Sequence, residues 1–188
     1  MLRKISAAIA DKLITSGLDN NQREIIAYGA ECTLSELLAN AILIIVAYLL
    51  HLLPASLIWL IFFTALRIHV GGYHASNHAL CIFESTIIGI LCSYLSTQFT
   101  YSFMSTSIIL ILSFIAVFKY APAVHPNHPI SKSYQHILLH RSLLILTIES
   151  SVTILCLLSL PLAYAAVMIN SILSCILLMI LGHFRFKK

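Results

Sequence analysis

Charged residues are scarce in this chain of 188 residues: 10% are Asp, Glu, Lys or Arg, whereas 60% are hydrophobic. The mean hydropathy is +0.96. A soluble domain of this length leaves too much surface in contact with water to bury so many apolar side chains. The composition therefore excludes a soluble globular protein and predicts an integral membrane protein, with the lipid bilayer as part of its solvent.

Cysteine motifs are also missing. An odd number of cysteines without regular spacing argues against a disulfide framework, and no C-x-x-C pair indicates a zinc site. The five are Cys32, Cys81, Cys92, Cys156 and Cys175. Four of them lie in or beside apolar runs, where cysteine behaves as a small hydrophobic residue. Cys81 differs because polar residues surround it.

The first twenty residues lack the continuous apolar segment and the cleavage site of a signal peptide. Instead, Leu2, Ile5, Ile9 and Leu13 recur at helical spacing among charged residues. This pattern is typical of an amphipathic helix that lies on a membrane surface. We therefore expect residues 1–20 to form an interfacial helix.

Long apolar runs occupy most of the remaining chain. The six runs lie at about 33–53, 54–67, 79–97, 104–118, 142–160 and 162–183. A helix needs about 20 residues to cross a hydrocarbon core of about 30 Å, so the second and fourth runs are short. The pattern predicts an all-α membrane protein with about six transmembrane helices in a single domain, residues 1–188.

The lysines and arginines all fall on one side of the membrane if six helices cross it. They are residues 3, 4, 12, 23, 67, 119, 132, 141, 185, 187 and 188. Basic residues are enriched in cytoplasmic loops. We therefore expect both termini and two loops, 67–78 and 119–141, to face the cytoplasm of a cell membrane. The net charge of +4 then reflects orientation and gives no reason to expect a nucleic acid partner.

The segment RIHVGGYHASNHALC, residues 67–81, is a polar interruption between two apolar runs. Its two adjacent glycines permit backbone angles that end a helix. Ser76 or Asn77 is a suitable N-cap for a following helix that carries Cys81 in its first turn. Unpaired backbone N–H groups and the helix dipole favour a thiolate at that position.

A histidine near this cysteine offers nucleophilic chemistry. His74 precedes the helix, so a turn could fold it back onto the sulfur of Cys81, and an imidazole that takes the thiol proton activates the nucleophile. Two alternatives remain. The cysteine could serve packing alone, or His69, His74 and His78 could bind zinc, although their spacing does not match a metallopeptidase motif.

Two acidic residues lie within the predicted spans. Glu84 follows Cys81 by three residues, on the same helical face, and could orient the histidine or pair with Arg67. Glu149 lies in the middle of the fifth run. Ionisable groups at that depth are costly and usually functional, although an ion pair between helices would also explain them.

The polar segment 67–81 resembles the signature of the AgrB family, the accessory gene regulator B membrane peptidases of Gram-positive bacteria. The resemblance rests on Arg67, Gly71, Gly72, His74 and Cys81 within the polar interruption. A second block, FKYAPAVHPNHPI, is similar to a loop of that family, and IIAYGAECTLSELL is similar to the entrance of its first helix. The similarity therefore extends over most of the chain.

The resemblance implies a cysteine endopeptidase without a cofactor or metal. Such a protein cuts a short AgrD-like pro-peptide near its C-terminus, keeps the peptide as a thioester, and promotes its closure into a thiolactone or lactone for quorum sensing. By this resemblance Cys81 is the nucleophile and His74 the base. Arg67, Gly71 and Gly72 shape the site, with Glu84 in support.

The partners expected from this reading are the pro-peptide and the bilayer, and a homodimer is left open. Lys119, Lys132 and Arg141 lie in the second polar loop, where they could hold an acidic peptide tail. The rival functions are a non-catalytic transporter or assembly protein, which Glu149 would suit, and a metal-dependent membrane hydrolase.

Overall fold

The computed structural model describes residues 2–15, 23–73, 77–124 and 130–186. Within these residues the chain forms seven α-helices and no strand. They are α1 (Leu2–Thr15), α2 (Arg23–Leu49), α3 (Leu53–Val70), α4 (His78–Gln98), α5 (Phe103–Tyr120), α6 (Lys132–Ser159) and α7 (Leu162–Phe186). Six of them, α2 to α7, are long and apolar enough to cross a membrane, which confirms the predicted all-α membrane architecture.

The amphipathic N-terminal helix packs against the start of the bundle. Ser6 and Ala10 of α1 are buried, whereas Ile5 and Ile9 are exposed, so an apolar face is left for lipid. The Arg23 guanidinium of α2 donates to the Asp11 carboxylate across 2.7 Å. That hydrogen bond lowers the pKa of Asp11 and ties α1 to α2.

Both polar loops are shorter than the sequence predicted. The predicted start of the 67–78 loop is wrong, because α3 continues through Val70. Only residues 71–77 connect α3 to α4. The predicted bounds of the 119–141 loop are also wrong. The connection comprises residues 121–131, because α6 begins at Lys132, ten residues before its apolar run. Hydropathy identifies only the part of a helix that contacts hydrocarbon. Polar helical turns at the membrane interface are therefore not predicted from it.

The last helix, α7, is the centre of the bundle. Helices α3, α4, α5 and α6 all pack against it. Of its most apolar 18-residue stretch 72% is buried, against 17–33% in the other spans. A continuous buried segment runs from Ala165 to Ile172. The other five spans therefore face lipid on one side, whereas α7 faces protein nearly all round.

Hydroxyl groups join the helices inside the bundle. The Ser56 hydroxyl of α3 donates to Ser93 of α4 across 2.9 Å, and the Ser171 hydroxyl of α7 donates to the Trp59 carbonyl of α3 across 3.0 Å. Small side chains at these positions allow close helix approach, and each such hydrogen bond stabilises a membrane bundle by up to about 1–2 kcal/mol. The contacts fix α3, α4 and α7 relative to one another.

The described basic residues gather at one end of the bundle. This basic end is formed by the starts of α2, α4 and α6 and by the final turns of α3, α5 and α7. Its members are Lys12, Arg23, Arg67, Lys119, Lys132, Arg141 and Arg185. The segment that connects α3 to α4, with the candidate nucleophile just after it, therefore lies at the basic end.

Candidate active site

The candidate nucleophile lies at the start of α4. The Asn77 side chain accepts a hydrogen bond from the Leu80 N–H across 2.8 Å, so the helix is capped at one of the two residues that the sequence indicated. The Cys81 N–H donates to the Asn77 carbonyl across 3.1 Å. Cys81 therefore ends the first helical turn, half-buried and near the positive end of the helix dipole.

A half-buried arginine lies within electrostatic range of this cysteine. The Arg67 guanidinium, in the last turn of α3, donates through Nη1 to the Gly71 carbonyl across 2.6 Å and through Nη2 to the Tyr73 carbonyl. The thiols of Cys175 and Cys81 both lie within electrostatic range of this guanidinium. No carboxylate among the described residues lies within ion-pair distance of Arg67. The positive charge is thus held by backbone carbonyl groups and remains available to an anion at the sulfur.

The two glycines adopt the conformations that make them necessary. Gly71 has φ of 67° and Gly72 has φ of 130°, both in the region that favours glycine. The Gly71 N–H closes α3 by donating to the Arg67 carbonyl across 3.2 Å. The turn that the sequence placed here is confirmed, and it bends the chain so that two of its carbonyl groups face the guanidinium.

The second sequence block is in contact with the first. The Ala123 N–H donates to the Val70 carbonyl across 2.9 Å, and Gly71 forms an isolated parallel bridge with Ala123. A side chain on Gly71 would place its Cβ 2.6 Å from the Ala123 carbonyl oxygen. The K-Y-A-P-A segment is therefore one wall of the site, although Ala123 follows Gly71 by 52 positions along the chain.

The end of α7 forms the opposite wall. The Tyr73 N–H donates to the Leu178 carbonyl across 2.9 Å, and the Arg185 guanidinium lies 4.8 Å from the centre of the Tyr73 ring. Tyr120, from the K-Y-A-P-A segment, packs edge-on against His183 with ring centres 5.1 Å apart. The sequence analysis predicted α7 as a span but did not place it in the site, because these contacts join residues that are distant along the chain.

The structure describes Glu84 and some of the histidines, but not the predicted base. Glu84 lies one turn after Cys81 and is half-buried, but it forms no ion pair with Arg67 in the described part of the chain. His74, the predicted base, lies outside the described residues, and His78 is the first residue of α4. His69 is half-buried in the last turn of α3, and its Nδ1 has no hydrogen-bond partner there.

The three basic residues predicted to bind substrate are exposed at the basic end. The Lys119 Nζ atom lies 5.3 Å from the centre of the Tyr120 ring, and Lys132 is the first residue of α6. Arg141 is nine residues further along α6, about 14 Å away by helical rise. They share an end of the bundle, but no contact gathers them into one cluster. Across the described residues, no three His, Cys, Asp or Glu side chains are grouped as a metal site requires.

Glu149 lies deep in the bundle, away from the cysteine. It is 5% exposed, and neither carboxyl oxygen has a hydrogen-bond partner among the described residues. A buried carboxyl group without a partner is costly. The ion pair between helices, one of the two explanations that the sequence left open, is not formed among the described residues.

This fold and this site define a multi-pass helical membrane protein with a half-buried cysteine and a half-buried arginine at one end of the bundle. The family model described as Accessory gene regulator B matches residues 6–183. The chain therefore belongs to the AgrB family.

The relatives extend over part of the chain. An AgrB-like protein of Clostridium perfringens (strain SM101 / Type A) is 28% identical over 138 residues, which are 69% of this chain and 64% of the relative. Accessory gene regulator protein B of Staphylococcus intermedius is 33% identical over 85 residues, 45% of each chain. That of Staphylococcus aureus (strain Newman) is 30% identical over 109 residues, 55% of this chain and 58% of the relative.

The chain thus spans less than two thirds of the length of these relatives. No solved structure matches it.

Proposed function

We propose that this chain is a membrane cysteine endopeptidase that cuts a short quorum-sensing pro-peptide and closes the product into a ring. The observation that carries the proposal is the position of Cys81 in the first turn of α4, within electrostatic reach of the Arg67 guanidinium. A helix start and a nearby cation both favour a thiolate, which is the reactive form of cysteine.

The first half of the reaction makes an acyl-enzyme. His74 takes the proton of the Cys81 thiol, and the sulfur attacks the carbonyl carbon of the scissile peptide bond. The carbon–nitrogen bond breaks, and His74 returns its proton to the leaving amine. The C-terminal fragment departs, and the N-terminal fragment stays on Cys81 as a thioester.

The second half closes the ring. A thiol or hydroxyl group inside the bound peptide gives its proton to His74 and attacks the thioester carbonyl carbon. The carbon–sulfur bond to the enzyme breaks, and Cys81 leaves as a thiolate, which His74 can reprotonate. When the attacking group is a thiol, one thioester replaces another, so the step needs little driving force. A site at the membrane face limits the access of water, which favours ring closure over hydrolysis.

The surrounding residues supply position and charge. Arg67 holds the turn through two backbone carbonyl groups and presents its charge to the sulfur. Glu84, one turn along α4, would orient the imidazole of His74. The exposed Lys119, Lys132 and Arg141 would attract an acidic peptide tail to the basic end, which we place on the cytoplasmic side.

The decisive experiment is co-expression with the pro-peptide, followed by mass spectrometry of both protein and peptide. Cys81→Ala should reduce cleavage and ring formation to background while the protein still inserts in the membrane. Cys32→Ala removes an exposed thiol elsewhere in the bundle and should keep full activity. Full cleavage in Cys81→Ala would refute the endopeptidase proposal.

A transporter remains the second candidate, because Glu149 is buried and unpartnered among the described residues. If the bundle carried a proton or solute, Glu149→Gln should abolish flux into proteoliposomes while Cys81→Ala should not. The endopeptidase proposal expects the reverse for peptide cleavage: loss in Cys81→Ala and little change in Glu149→Gln. Measuring both activities in both variants separates the two functions.

A further inference from the structure

The polar turn lies directly on α7 at a glycine. A Cβ atom built on Gly182 would lie 2.5 Å from the Gly72 carbonyl carbon and 2.7 Å from its Cα, and closer still to the Tyr73 nitrogen. Those three atoms are backbone, so they cannot rotate aside as the tip of a side chain could. Any side chain at position 182 must therefore lift the turn away from the helix.

The contact is two-sided. A Cβ atom on Gly72 would lie 2.7 Å from the Leu178 carbonyl oxygen and 2.9 Å from the Cα of Met179. The Tyr73 N–H donates to that same Leu178 oxygen across 2.9 Å. Gly182 thus faces the Gly72–Tyr73 backbone, Gly72 faces the α7 backbone about one turn earlier, and the hydrogen bond to Leu178 fastens the turn between them.

The polar turn that packs on α7 also binds the Arg67 guanidinium. The two acceptors of the Arg67 guanidinium are the carbonyl groups of Gly71 and Tyr73, on either side of the contact. A turn lifted from α7 would carry both acceptors with it. The guanidinium would then lose its hydrogen bonds or follow them, and in either case its position beside Cys81 would change.

We propose that Gly182 is a positioning residue, whose missing side chain lets the Gly72–Tyr73 backbone rest on α7 and so holds Arg67 beside Cys81. The inference rests on the proposed function only in its expected effect on catalysis. Gly182 itself touches neither the sulfur nor the peptide. It acts through the turn, over 100 residues distant in the sequence.

The test is the reactivity of Cys81 in Gly182→Ala, measured without any peptide. The purified protein is treated with iodoacetamide at neutral pH, and alkylation of the peptide fragment that carries Cys81 is followed by mass spectrometry. Gly182→Ala should slow alkylation roughly 10-fold, because a thiol that loses a nearby cation has a thiolate fraction smaller by about that factor. Thioester formation with the pro-peptide should slow by a similar factor, with KM little changed.

Two other helix glycines provide matched controls. At Gly89 a Cβ atom would lie 2.8 Å from side-chain atoms of Leu43 and Trp59, so Gly89→Ala crowds the bundle without touching the turn. At Gly29 nothing lies within 4 Å, so Gly29→Ala changes helix propensity alone. Both variants should alkylate Cys81 at the wild-type rate in the fraction that elutes as folded protein.

If Gly182→Ala yields no folded protein, a second variant tests the proposal. Arg185 is exposed, and Arg185→Ala removes the cation that α7 places over the Tyr73 ring without adding bulk. We expect a loss of about two- to fivefold in alkylation, consistent with a contact of about 0.5–1 kcal/mol. Arg185→Lys keeps the cation and should stay near wild type.

The outcomes are separable. Wild-type alkylation in folded Gly182→Ala, or an equal loss in Gly89→Ala, overturns the positioning role. Wild-type alkylation in Arg185→Ala overturns it where Gly182→Ala does not fold. Slow alkylation in Gly182→Ala together with full peptide cleavage in Cys81→Ala would uphold the positioning role and refute the proposed function.

Discussion

At the scale of a single residue, Arg67 performs two tasks that a lysine could not share. Its planar guanidinium donates to two carbonyl groups of the same turn and still presents charge to the neighbouring sulfur. A lysine ammonium is a point charge without that fork. Charge and geometry can therefore be separated by one substitution.

Arg67→Lys should slow both Cys81 alkylation and thioester formation roughly 10- to 100-fold. The reason is the loss of one charge-assisted hydrogen bond to the turn, worth about 1.5–3 kcal/mol. The rates are measured by mass spectrometry, as for Gly182→Ala. Arg23→Lys makes the same chemical change at an exposed position of α2 and serves as the control. Wild-type rates in Arg67→Lys would show that charge alone matters.

The base is tested by a pair of histidine variants. His74→Ala should abolish trapping of the thioester on Cys81, because the thiol proton then has no acceptor. His78→Ala should remain substantially active. Gly72→Val should be nearly as inactive as His74→Ala, since its Cβ atom would meet the Arg67 guanidinium and the backbone of α7. Normal trapping in His74→Ala with none in His78→Ala would identify His78 as the base.

At the scale of an element, the capped start of α4 positions the nucleophile. Asn77→Ala removes the side-chain acceptor of the Leu80 N–H, which costs about 1 kcal/mol of helix stability and frays the first turn. We expect thioester formation to slow about fivefold. Asn77→Ser keeps an acceptor and should be near wild type.

The control for the cap variant lies at the other end of the bundle. Ser102 caps α5 by accepting from the Ser105 N–H across 3.2 Å. Ser102→Ala loses a similar cap far from the cysteine, so trapping kinetics should not change. An equal loss in both variants would mean that general destabilisation, and not the position of Cys81, explains the result.

The same elements show what the sequence could and could not predict. The six spans and the α4 cap were predictable, because apolar runs and a polar residue before a helix are local signals. The polar start of α6 was read as loop, since Lys132 and its neighbours look like solvated residues even when helical. Gly182 was visible only as a glycine within a helix, and its contact with Gly72 depends on how distant segments pack.

At the scale of the whole molecule, the bundle is electrically one-sided, because the described basic residues share one end. Ser133 is exposed near the start of α6, at the basic end, and Gln98 is exposed at the end of α4, opposite to it. In intact cells a membrane-impermeant maleimide should label Gln98→Cys and spare Ser133→Cys, relative to the parent protein. Labelling of Ser133→Cys from outside would place the site on the outer face.

The central place of α7 has a consequence for biosynthesis. Cys81 and Arg67 leave the ribosome long before Leu178 and Gly182, the residues on which the turn comes to rest. Until α7 enters the membrane, the turn lacks one of its two walls and α3 to α6 have no common neighbour. The proposed active site is therefore assembled last, and we expect a nascent chain stalled before α7 to carry every residue of the motif and remain inert.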